Sequence, residues 1–172
     1  MRLVGIIVLI ALSVVWWWRR AMKPAPNRIE SPDHLANAID YFLRRGIHGG
    51  SVRFQIDDDA SRAVVLTKYI VAHGNVGFSG RANCRAESEE RIDSFRRDLT
   101  ARGLNHTVTH AGGAAAVEIE CGRDVGLGVM FVVLAFGTLF NTKLAEHCVA
   151  YFEGVAISSV PSITGVDEPP ER

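Results

Sequence analysis

From Leu3 to Trp18 the chain carries no charge, and the run ends in Trp16-Trp17-Trp18-Arg19-Arg20. A stretch of this kind decides the compartment in which everything after it must fold. As a helix rising 1.5 Å per residue it spans roughly 24 Å, a little short of the ~30 Å hydrocarbon core of a bilayer. The flanks make up the difference: tryptophans favour the headgroup level, and Arg19, Arg20 and Lys23 reach toward water on long apolar stems. Residues 1–23 are therefore expected to form a membrane anchor, with the lipid bilayer as a partner through Leu3–Trp18. A cleaved signal peptide and a buried helix of a soluble protein are the alternatives. Three tryptophans and two arginines stand where a small-x-small cleavage site belongs, which favours the uncleaved anchor.

Charge on either side of the run sets its orientation. Arg2 and the terminal amine precede it, while Arg19, Arg20, Lys23 and Arg28 follow it. The positive-inside rule then puts the domain that follows in the cytosol, at the inner membrane of a cell that has two. The cysteines agree. Cys84, Cys121 and Cys148 are odd in number, widely spaced and free of any C-x-x-C pattern, as suits a reducing compartment. Nineteen basic and nineteen acidic residues cancel, so overall charge supplies no electrostatic reason for a nucleic-acid partner.

Residues 24–30, with Pro24 and Pro26, read as a short extended linker. Ser31-Pro32-Asp33 is a helix start: a capping hydroxyl, proline at the first helical position and an acid at the positive end of the dipole. Leu35, Ile39, Phe42 and Leu43 form its apolar stripe, and Gly46 offers a left-handed stop. Val52, Phe54 and Ile56 then alternate with polar residues as a half-buried strand does, Asp57-Asp58-Asp59 makes a turn, and Ala63 to Val71 returns as a second strand. His73 to Gly80, with three glycines, reads as a loop. A second helix is expected over Arg85 to Arg102, closed by Gly103, followed by a hairpin of Thr107–His110 and Ala115–Cys121 around Gly112-Gly113.

The expected fold class is α+β: an anchor helix, then a domain over 31–154 built as a two-layer sandwich. Arg53 and Gln55 on one strand, and Glu118 and Glu120 on another, give the sheet a polar, water-facing side. Arg45-Gly46-Ile47 and Arg102-Gly103-Leu104 allow a reading as two α-β-β units, although coincidence of ordinary helix stops is the favoured account of so short a match. Val125 to Thr142 has no charge and is apolar on nearly every side, which fits either a central core helix or a second membrane span. The amphipathic stripe Leu144, Cys148, Val149 and Phe152 reads as its continuation, and 155–172 as a polar, disordered tail.

Chemistry-bearing motifs are sparse. His106 and His110 share one side of a strand but stand about 13 Å apart there, too far to hold one metal ion. Asp57-Asp58-Asp59 lacks the remaining positions of a calcium loop, and the glycines at 74, 77 and 80 match neither a dinucleotide fingerprint nor a P-loop. No cofactor or metal site follows. The weak catalytic candidate is Cys84 with His73 as base, a membrane-tethered cysteine-dependent or hydrolytic enzyme. The favoured expectation is a small anchored protein that acts through protein–protein interaction, as an envelope-complex subunit or an immunity-type binder.

Overall fold

The computed structural model describes residues 27–70, 75–84, 87–111 and 114–155. The anchor, the beginning of the linker, His73 and the tail after 155 lie outside the described residues. Twelve elements run in the order β1 (Asn27–Arg28), α1 (Pro32–Arg45), β2 (Gly46–Ile56), β3 (Asp59–Ile70), β4 (Val76–Asn83), α2 (Glu89–Ala101), β5 (His106–Ala111), β6 (Ala114–Gly122), α3 (Val125–Leu134), a π turn (Ala135–Leu139), α4 (Leu144–His147) and β7 (Cys148–Val155). The strands make one seven-stranded antiparallel sheet in the order β1-β7-β2-β3-β4-β6-β5. The helices pack against one another and against a single face of it. The α+β class holds, and the helix–hairpin succession occurs twice, with β4 standing between the two.

α1 begins as its sequence requires. The Ser31 hydroxyl accepts the His34 amide at 3.1 Å, with Pro32 and Asp33 in the first turn. Its end differs from the expected left-handed stop, because Gly46 is extended at φ −66° and the chain runs directly into β2. Glycine is needed there for space: a Cβ would lie 2.7 Å from the Phe42 carbonyl oxygen. Gly103 does take the left-handed conformation, at φ +71°, where α2 ends.

Three segments correct the sequence reading. Residues 76–83 form strand β4 in the middle of the sheet, not a loop. Val76, Phe78, Gly80 and Ala82 alternate as a strand does, and the glycines are sites of close approach: a Cβ on Gly80 would meet Phe131 at 2.8 Å. Cys148–Val155 is strand β7, not a helix continuing from α3. Positions 144, 148 and 152 are four apart and share a side under either period; the inward set Cys148, Ala150, Phe152 belongs to the two-residue period. The presumed linker also contributes structure, since β1 pairs with β7 and Ile29 is fully buried.

The apolar segment Val125–Leu139 is a core element. α3 lies between α1 and α2 and over the sheet, burying Phe131 and Val132, and the π turn that follows buries Ala135, Phe136 and Leu139, which is why a polar face is missing. Among the described residues no helix is long and apolar enough to cross a membrane, so the second-span alternative falls. Asp124 caps α3 through the Leu127 amide, and Thr138 in the π turn donates to Asp98 of α2 at 2.7 Å.

Candidate functional site

Register fixes what each face of the sheet presents. One row across six strands reads Phe152, Val52, Leu66, Gly80, Ile119 and His106, and this side carries the helices. The neighbouring row on the opposite side reads Tyr151, Arg53, Val65, Arg81, Glu118 and Thr107. Among the described residues no helix covers that second face. It is the candidate site, and the alternation of Arg53 and Gln55 and of Glu118 and Glu120 marks it in the sequence.

The face is organised by contacts between its own side chains. The Arg53 guanidinium carbon sits 5.5 Å from the centroid of the Tyr151 ring. Arg81 pairs with Glu118 at 2.8 Å, each still reached by solvent. Tyr69 lies over Gly77, where a Cβ would meet its hydroxyl oxygen at 2.5 Å, and its hydroxyl donates to Glu120 two strands away. That hydrogen bond, with partial burial and the carboxylate charge behind it, raises the phenol to about 12. Gln55 is only 4 % exposed and donates to the Asp57 carbonyl, while its Oε1 and the Arg53 Nε are buried without a hydrogen-bond partner among the described residues. At one rim His147 Nδ1 and Asp57 Oδ2 stand 2.9 Å apart.

The residues singled out for chemistry are scattered. Cys84 follows β4 and is 2 % exposed; burial pushes its thiol up to about 11, the opposite of what an activated nucleophile requires. Its proposed base, His73, lies outside the described residues. Cys121 is buried and raised to about 12, and burial raises Cys148 further. Asp59 accepts from the Ser61 amide and hydroxyl, a turn hydrogen bond that lowers its carboxyl. Among the described residues no group of three or more His, Cys, Asp or Glu side chains could hold a metal ion.

Two arrangements escaped the sequence. Lys68, 5 % exposed on the helix side, donates to the carbonyls of Leu43 and Gly46 at 2.5 and 2.6 Å and closes the end of α1; burial lowers its pKa. Glu87, with a side chain 1 % exposed, binds Arg62 at 2.8 Å and Arg91 at 2.9 Å, tying the start of α2 to β3. Each joins residues about 25 positions apart or across a turn, and only the β3 pattern, with a lysine among inward residues, hinted at either.

No family model, curated protein or solved structure matches this chain. Tyrosine and arginine are enriched where proteins meet, because both bury a large apolar area and keep a polar end. The face offers both, on rigid strands, with charges of both signs.

Proposed function

We propose that this is a small membrane-anchored protein whose α+β domain faces the cytosol and binds another protein through the open face of its sheet. The observation that carries this reading is the row Tyr151, Arg53, Val65, Arg81 and Glu118, a set of aromatic, aliphatic and ionic groups fixed on adjacent strands. Rigid anchors of this kind lose little freedom on binding, which is what makes a patch adhesive.

The partner suited to such a face is a folded protein at the same membrane that presents acidic and basic groups in register with Arg53, Arg81 and Glu118. A subunit of an envelope complex and a protective, immunity-type binder both fit that chemistry. The anchor at Leu3–Trp18 confines the search to two dimensions.

Reporter fusions after Pro26, at Gly113 and after Arg172 test the compartment. All three in the cytosol is the expected result; a reporter on the far side would rule out a cytosolic partner. Affinity capture of the full chain from detergent-treated membranes, with and without Tyr151→Ala, tests the face. A partner kept equally by both forms would contradict the assignment.

A further inference from the structure

The sheet ends in two unlike edges. At one side, among the described residues, β1 pairs with Ala150 and Val149 of β7 and carries the charge of Arg28, which resists unwanted pairing. At the other side β5 runs six residues, His106–Ala111, with no Asp, Glu, Lys or Arg, no proline and no shift in its register against β6. Its backbone is aimed outward. The Cys84 amide donates to the Ala115 carbonyl at 2.9 Å, so Ala115 directs its groups toward β4 and away from β5. In an antiparallel ladder this parity alternates, and the residues facing Ala115, Val117 and Ile119 point outward in turn. His110, Val108 and His106 thus present a row of amides and carbonyls that no backbone group among the described residues satisfies.

The sequence of that edge is a palindrome, His106-Thr107-Val108-Thr109-His110. Placed antiparallel to itself about a two-fold axis through Val108, the strand sets each threonine against a threonine and each histidine against a histidine. Cross-strand threonine pairs are favourable, and no acidic residue, lysine or arginine is set against its like. The helix beside the edge is complementary to its own copy as well. An open groove of ≈ 850 Å³ is lined by Glu89, Glu90, Asp93, Arg96, Arg97 and His106, with acids in the first half of α2 and arginines in the second. The same two-fold axis runs α2 antiparallel to its copy, acidic half beside basic half.

We propose that the β5 edge is a homodimer interface: the partner is a second copy of this chain, joined through paired β5 strands into one continuous sheet. A closed two-fold contact of this kind uses up the edge on both copies and leaves the open face of each free. The inference goes beyond the face-binding reading and does not depend on it.

The full chain in detergent carrying Val108→Cys tests it. The two Val108 Cα atoms of a hydrogen-bonded antiparallel pair lie about 5.5 Å apart, within the range a disulfide spans. The three native cysteines are buried and contribute little background. Mild oxidation with copper phenanthroline is expected to give at least tenfold more covalent dimer for Val108→Cys than for Glu118→Cys, one strand further in. Equal yields, or no dimer from Val108→Cys, would overturn the proposal. His110→Lys changes an exposed side chain and adds an edge charge; it is expected to shift the sedimenting species from dimer to monomer without altering the near-UV spectrum. A dimer that survives it would overturn the β5 assignment. Neither outcome touches the partner captured through Tyr151.

Discussion

Phe131 of α3 occupies the space that a side chain on Gly80 of β4 would need, its Cδ1 lying 2.8 Å from where that Cβ would stand. The relation is mirrored nearby, where Gly128 of α3 leaves the same room for the Phe78 ring at 2.8 Å. Two glycines and two phenylalanines thus lock the central helix to the interior strand β4. Gly80→Ala is expected to cost about 1–3 kcal/mol, since it forces a fully buried ring off its position in a close-packed core. The urea midpoint of the full chain measures it; an unchanged midpoint would mean that helix and sheet are not in contact there.

Lys68 gives a second stability prediction. Its ammonium satisfies the Leu43 and Gly46 carbonyls at the end of α1 while the residue is only 5 % exposed. Lys68→Met keeps most of the volume but removes both donors, and is expected to destabilise by about 1–3 kcal/mol. Thermal unfolding followed by far-UV circular dichroism checks it. A more stable variant would show that the desolvation of the charge outweighs its hydrogen bonds.

Much of this architecture was legible because local chemistry and tertiary need agree. Ser31 caps α1, Gly103 ends α2, and the alternation through Val52, Phe54 and Ile56 declares β2 with Arg53 and Gln55 on the other side, although Gln55 is buried there and does not face water. The failures share one physical cause. Gly77 and Gly80 read as loop residues because glycine weakens a strand by itself; they make room for Tyr69 and Phe131, which come from other elements and leave no trace in the local pattern. Residues 144–152 carried a spacing of four, which helix and strand both satisfy. The open face was readable as a polar side, but the cation–π pair of Arg53 and Tyr151 joins β2 to β7 across the whole domain, and nothing local announces it.

The cysteines give a test of the thiol-enzyme alternative. Burial holds Cys84 near 11 and Cys121 near 12, against an ordinary 9.0. A folded-state value raised above the unfolded one means that the native state retains protons that the unfolded state loses. This contribution to stability is complete below about pH 9 and is lost as the pH rises through about 11 to 12. At pH 8 Ellman's reagent is expected to label none of the three thiols rapidly in the native chain and all three in denaturant. A single fast thiol at Cys84 would restore the catalytic alternative.

On the open face, Tyr151→Ala is expected to weaken partner binding by about 2 kcal/mol, roughly 30-fold, as loss of a central aromatic anchor does. Tyr151 is half-buried at the surface, so folding stability should fall by less than about 1 kcal/mol. Asn37→Ala, on the exposed side of α1, should leave binding unchanged. Titration with the captured partner separates the two sites.

The most direct measurement is site-specific photo-crosslinking of the full chain in its native membrane, with the reactive group placed at Thr67 in the middle of the open face or at Asn37 on the helix layer. The expected result is a discrete adduct with a second, different protein from Thr67 and none from Asn37. Equal labelling from both positions, or adducts with lipid alone from Thr67, would contradict the assignment of the sheet face as the binding surface.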